Sequence, residues 1–156
     1  MPRSEPTGLQ TLNYYREKAV QGFNLVIIYN EAKDKLLLCR RDHEPYKGLS
    51  NFVGGKIEEG EDGLTAAYRE LQEETAITRE DVKLAHLCDF TYHISDCYLE
   101  VYVGKLNKHV SVHGDENRLY WSETDCDFFD MTNYAGEGNM GHIIEIIKMY
   151  EDQLLN

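Results

Sequence analysis

Phe23-Asn24-Leu25-Val26-Ile27-Ile28-Tyr29 is β-branched and almost wholly apolar, the pattern of a strand buried on both faces. A polar turn, Asn30 to Lys35, leads to Leu36-Leu37-Leu38-Cys39-Arg40-Arg41, and the pair predicts a β-hairpin. Pro45 and Gly48 mark 42–50 as a loop, and Asn51-Phe52-Val53 reads as a short strand entering Gly54-Gly55. From Asp62 to about Ala76 the period changes. Leu64, Ala67, Tyr68 and Leu71 fall at i, i+3, i+4 and i+7, predicting a helix with an apolar stripe. Strands are predicted at Phe90–His93, Tyr98–Leu106 and Leu119–Trp121. In the second, aliphatic Leu99, Val101 and Val103 alternate with Tyr98, Glu100 and Tyr102. Apolar residues at Ile143, Ile144, Ile147, Met149 and Tyr150 predict a C-terminal helix over 140–155, with Asn139 as N-cap. Strands interleaved with two helices imply an α/β (α+β) fold, a mixed sheet covered on both faces. Without repeats or a linker, residues 1–156 read as one domain, with 1–16 a flexible or edge segment.

Charge narrows the partners. With 28 acidic against 16 basic residues, the net charge is −12. That balance argues against nucleic acid or an anionic membrane, both of which recruit Lys/Arg surfaces. A small phosphorylated substrate would need a cation between it and this chain. Cys39, Cys88, Cys97 and Cys126 form no CxxC pair and read as reduced thiols. No signal-peptide h-region and no membrane-length apolar run is present, so a cytoplasmic protein is expected, as monomer or homodimer.

The first helix carries the chemistry. Glu70, Glu73 and Glu74 occupy i, i+3 and i+4, one face of the helix. A like-charge i,i+4 pair costs about 0.2–0.5 kcal/mol in an isolated helix, and the dipole disfavours anions near the C-terminus. Two readings explain the cluster: a solvated acidic face, or oxygen ligands for a hard cation such as Mg²⁺ or Mn²⁺.

The surroundings favour the second. Gly55, Glu61, Arg69-Glu70-Leu71, Glu73-Glu74 and Ile77 are spaced as in the signature box of the Nudix hydrolases, which this segment resembles; only its last glycine is replaced, by Ala76. The resemblance implies a Nudix-type α/β/α sandwich in which a loop–helix–loop holds a divalent metal, Mg²⁺ with Mn²⁺ as substitute. It assigns Glu70, Glu73 and Glu74 as catalytic ligands, the Gly55 carbonyl as a further donor, and Arg69–Glu61 as an ion pair bracing loop to helix. At Ala76 the family places a glycine of positive φ. Either the alanine bears a cost of about 1 kcal/mol, or the turn differs.

Outside the box, Leu49 to Lys56 is similar to the segment that precedes it in MutT-type enzymes acting on oxidised purine triphosphates, where an Asn matching Asn51 reads the base. Gly114 to Trp121 looks like the loop supplying their extra metal-site glutamate, which selects Glu116 over Glu100 or Glu123. Asn133 falls about where such enzymes hold a base-binding Asn. Each has a plain alternative: Asn51 a turn residue, Asn133 a cap, Glu116 an exposed turn acid. Arg40 or Arg41 could reach phosphates, and strand alternation lets only one face inward. The reaction implied is metal-assisted attack of water on a nucleoside diphosphate-linked compound, most simply a (d)NTP giving (d)NMP and pyrophosphate. ADP-ribose, a dinucleotide, or a sensing module without turnover are the alternatives.

Overall fold

A computed structural model describes residues 20–156; the reading of residues 1–16 lies outside them. Strand β1 (Gln21–Tyr29) runs parallel to β5 (Cys97–Lys105) along its whole length, from Gln21 beside Cys97 to Tyr29 beside Lys105. Every other strand pairing is antiparallel: β4 (Ala85–Tyr92) on β5, and β2 (Lys35–Arg40) with β1, β3 (Ser50–Asn51) and β6 (Arg118–Glu123). The order β3-β2-β1-β5-β4, with β6 also on β2, makes the mixed sheet expected.

The hairpin is short. Asn30 closes its turn by accepting the Asp34 and Lys35 N–H groups at 3.0 and 3.1 Å, but β1 and β2 pair only at Tyr29 and Leu36. Beyond that point β2 pairs with β6, and the edge of β1 is taken by residues 53–57. Val26 donates to Val53, Asn24 to Gly55, and Ile57 back to Gly22, at 2.8–2.9 Å. The loop carrying Gly54-Gly55 is therefore built into the sheet.

Strand alternation divides the core. Val26 and Ile28 face helix α1 (Gly63–Thr75), packing with Ala67, Tyr68 and Leu71. Ile27 and Tyr29 face α2 (Asn139–Met149), whose Met140, Ile143, Ile144 and Ile147 cover the other side. Each fully buried aliphatic side chain contributes about 1.5–3 kcal/mol, which fixes α1 against the sheet.

Four details differ from the pattern reading. Leu64 is exposed, because the first turn of α1 rests on polar ground: Gly63 sits against the Glu100 carboxylate and the Tyr102 hydroxyl. The C-terminal helix stops at Met149 and resumes as a short α3 (Glu151–Leu154) after non-helical Tyr150. Met149, about 200° around the helix from Ile147, and Tyr150 are both exposed. Asn139 is the first helical residue; the cap is Gly138, at φ 91°, and the Asn139 amide donates to the Tyr92 hydroxyl. Strand β4 also begins earlier than predicted, since a bulge between His86 and Cys88 breaks its alternation.

Ala76 resolves the choice posed above. It caps α1 at φ 68° with its N–H on the Gln72 carbonyl at 2.9 Å, so the alanine bears the left-handed conformation. Ala76→Gly is expected to raise unfolding stability by about 1 kcal/mol in urea titrations. All four cysteines are free thiols, and no helix among the described residues is long and apolar enough to cross a membrane.

Candidate active site

Asp62 starts α1 by accepting the Thr65 N–H on Oδ1 and the Thr65 hydroxyl on Oδ2, both at 2.9 Å. With the helix start fixed and Leu71 buried, Glu70 and Glu74 face the Gly54-Gly55 loop. Glu74 is only 9% exposed and accepts the Gly54 N–H at 3.3 Å. The Glu70 carboxyl lies against the Gly55 Cα so closely that a Cβ there would stand 2.4 Å from its Cδ. Glycine is required for that approach.

Arg69 ties loop to helix. Its Nε and Nη2 donate to the two oxygens of Glu61 at 2.8 Å, and Nη2 also reaches the Lys56 carbonyl at 3.0 Å. Its Nη1 donates to Glu70 at 2.9 Å and Glu73 at 3.3 Å. The guanidinium holds the Glu61 carboxyl below the usual range. Glu70 shifts the other way: burial raises its pKa, Arg69 opposes, and the charges of Glu73 and Glu116 add to the rise. Glu74 is pushed up to about 7 by burial, with Glu70 and Glu116 contributing and Gly54 and Arg41 opposing.

Glu116 arrives on a segment folded over the end of α1. His113 donates to the Thr75 carbonyl at 3.1 Å, and a Cβ on Gly114 would stand 1.9 Å from the Glu74 carbonyl oxygen. The Asp42 N–H, donating to the Asn117 side chain at 3.2 Å, ties that turn to the loop after β2. The rival acids are engaged elsewhere: Glu123 pairs with Lys35, and Glu100, 1% exposed, accepts the Tyr102 hydroxyl at 2.8 Å.

Of the two arginines, Arg41 is the one whose charge reaches Glu74; its Nε donates to the Pro45 carbonyl at 2.7 Å. Arg40 ends β2 exposed, opposite Arg118 on β6. Asn51 lies on β3 with its side-chain oxygen on the Phe52 N–H at 2.9 Å. The Asn133 amide donates to Asp130 at 2.6 Å, while its backbone carbonyl takes the Ser50 N–H at 2.9 Å, next to Asn51. Glu70, Glu74, Gly55, Arg69 and Glu61 thus meet directly, with Glu73, Glu116 and Arg41 around them; Arg40 stands apart.

The chain matches a model of the NUDIX domain over residues 20–126, most of its length. It belongs to the Nudix family. A curated relative, the RNA pyrophosphohydrolase of Pelagibacter ubique (strain HTCC1062), is 38% identical over 64 residues, a match spanning 41% of this chain and 38% of that protein. Among solved structures, an Ap4A hydrolase binary complex from C. elegans superposes with a TM-score of 0.69 at 23% identity, over 85% of this chain and 98% of its own. The NUDIX domain of Shewanella oneidensis NrtR, complexed with ADP ribose, gives 0.65 at 18% identity over 94% and 99%. At these identities the structural neighbours establish the Nudix fold, an α+β mixed sheet with helices.

The donor set of this Nudix chain suits a hard divalent cation. Among the described residues no three His, Cys, Asp or Glu side chains already surround one point. Yet burial raises the pKa of both Glu70 and Glu74 beside a glycine backbone, and neighbouring carboxylates add to each rise: Glu73 and Glu116 for Glu70, Glu70 and Glu116 for Glu74. A cation removes that penalty.

Sequence reasoning passed over Asn24, which lies in an apolar run and matches no motif, and the pair Tyr46–Glu137. There the Tyr46 hydroxyl donates to the Glu137 carboxylate at 2.7–2.9 Å, joining the loop after β2 to that before α2. Nothing in spacing or composition links residues so far apart.

Proposed function

We propose that this Nudix chain is a divalent-metal-dependent pyrophosphohydrolase acting on nucleoside diphosphate-linked compounds, with a nucleoside triphosphate as substrate and a nucleoside monophosphate and pyrophosphate as products. One observation carries the reading: the half-buried Glu70 and the buried Glu74 both turn toward the Gly54-Gly55 loop, and the Glu70 charge adds to the rise in the Glu74 pKa. Buried like charges are costly and persist where a counter-ion neutralises them.

In this reading Glu70, Glu73, Glu74, Glu116 and the Gly55 carbonyl are the oxygen ligands of Mg²⁺ or Mn²⁺. When bound there, such a cation would offer charge neutralisation to the substrate's phosphate oxygens. The rest falls to the chain itself. Arg69 and Glu61 hold the loop on the helix, so the carboxylates are placed before substrate arrives. The Gly55 carbonyl already accepts the Asn24 N–H and retains one lone pair. Arg41 is the cation for the substrate's phosphates. Asn51, whose amide nitrogen remains a donor, and the neighbouring Asn133 line the side on which a purine base is read. Proton acceptance from the attacking water falls to Glu73, Glu70 or a loop acid, and Glu73, with its side chain 60% exposed, has the widest access to solvent.

A panel of dGTP, GTP, 8-oxo-dGTP, diadenosine tetraphosphate, ADP-ribose and 5′-triphosphorylated RNA, run with Mg²⁺ and with product identification, tests this. The expected result is release of pyrophosphate from a nucleoside triphosphate, reduced about tenfold or more in Glu73→Gln. Undiminished turnover in Glu73→Gln would remove that residue from the site. Equal rates on oxidised and ordinary purines would remove the pool-cleansing role and leave the hydrolase class. Binding of all six without turnover would favour a sensing module.

A further inference from the structure

Asn24 interrupts the apolar run of β1 and is 1% exposed, on the same face as Val26 and the α1 core. Its backbone N–H donates to the Gly55 carbonyl at 2.9 Å, and its side-chain Oδ1 accepts the Gly55 N–H at 3.3 Å. Its own carbonyl lies so close to Gly54 that a Cβ there would stand 2.1 Å from it. The amide nitrogen, by contrast, is buried with no hydrogen-bond partner among the described residues.

An orphaned buried donor is a cost that an apolar residue would avoid, so strand packing does not account for the asparagine. What asparagine offers here is a neutral acceptor. Aspartate would take the same N–H, but would set another carboxylate near Glu70 and Glu74 and directly beside Glu100, its neighbour on β5. The accepted N–H belongs to the peptide joining Gly54 to Gly55. Holding it toward β1 turns the Gly54 carbonyl the opposite way, because a trans peptide places N–H and C=O on opposite sides. The same dipeptide donates the Gly54 N–H to Glu74 and packs its Gly55 Cα on Glu70.

We propose that Asn24 is a positioning residue of the metal site: its side-chain oxygen fixes the Gly54–Gly55 peptide against β1, and through that peptide sets where Glu74 and Glu70 present their oxygens. The inference rests on the reading of those glutamates as cation ligands.

Mn²⁺ binding by electron paramagnetic resonance, on the full chain and without substrate, tests it. Asn24→Leu is expected to weaken Mn²⁺ binding about 10–100-fold, as loss of a ligand-orienting hydrogen bond does. Its kcat should fall with KM within about twofold of wild type. Asn24→Asp, which keeps the acceptor but adds a charge beside Glu100, should recover part of the affinity that Asn24→Leu loses. A purely structural role would lower the melting temperature of Asn24→Leu and leave the Mn²⁺ affinity of the folded protein unchanged, and that result overturns the proposal. Mn²⁺ bound by the wild type without turnover on any substrate overturns the hydrolase reading alone; no Mn²⁺ bound by the wild type overturns both. If Asn24→Leu does not fold, amide exchange of Gly55 in the wild type decides. Strong protection is expected, and exchange at the open-chain rate overturns the clamp.

Discussion

Glu74→Gln is expected to make the metal-free protein more stable and the enzyme nearly inactive. Burial raises the Glu74 carboxyl from 4.5 to about 7, so the folded chain holds a proton that the unfolded chain releases. For a raised folded-state pKa, the associated stability is fully present below about pH 4.5 and is lost as pH rises through about 7. At 1.36 kcal/mol per unit, the loss by pH 8 is about 3 kcal/mol. Glutamine does not ionise, and its side-chain oxygen can still accept the Gly54 N–H. The variant should therefore match wild type near pH 4.5 and exceed it by about 2–3 kcal/mol at pH 8 in urea titrations without metal. Mg²⁺ at a hundredfold its Kd should close the gap, because it stabilises wild type by about 2.7 kcal/mol and, on the proposed reading, the variant lacks one of the cation's ligands. Loss of a ligand to the reacting phosphate's cation lowers kcat by about a hundredfold or more. A variant less stable than wild type at pH 8 without metal would show that the Glu74 charge is already compensated within the fold.

Gly55→Ala is the second large effect. The new methyl would meet the Glu70 carboxyl carbon at 2.4 Å and both of its oxygens at 2.5–2.6 Å. Something must move, and the flexible Glu70 side chain yields more readily than the loop held by Asn24 and Arg69. The expected fold cost is about 1–3 kcal/mol, that of overpacking. Displacing Glu70 from the loop should lower kcat and Mg²⁺ affinity together by about 10–100-fold, since the carboxylate is moved rather than removed. Lys56→Ala, one residue on, should leave turnover near wild type, because Arg69 uses only its carbonyl. Full activity in Gly55→Ala would place the reacting phosphate away from this loop.

These two substitutions fall where the sequence was most legible. Loop, helix and carboxylate spacing in residues 55–77 are local features: Asp62 caps, the Ala67–Leu71 stripe buries, and the acids follow at helical spacing. The two-sided burial of β1 was equally plain in the apolar run from Leu25 to Tyr29. Long-range pairing was not legible. Residues 53–57 displace β2 from β1 because the loop's backbone groups find partners on Asn24 and Val26, and no side-chain pattern announces that. Leu64 looks like a stripe residue until Glu100 is known to lie beneath the first turn. Asn24 looks like an imperfection in a strand until Gly55 is found across from it. The two asparagines read as base contacts stand on neighbouring segments joined by Ser50, a proximity created by chain folding alone.

The measurement that bears most directly on the cation site is the anomalous signal of a crystal soaked in Mn²⁺. A peak is expected within about 2.2 Å of oxygens of both Glu70 and Glu74, near the Gly55 carbonyl, with Glu116 turned toward it. Glu70 and Glu74 left without an ion in such a crystal, with Mn²⁺ bound elsewhere or nowhere, would contradict it.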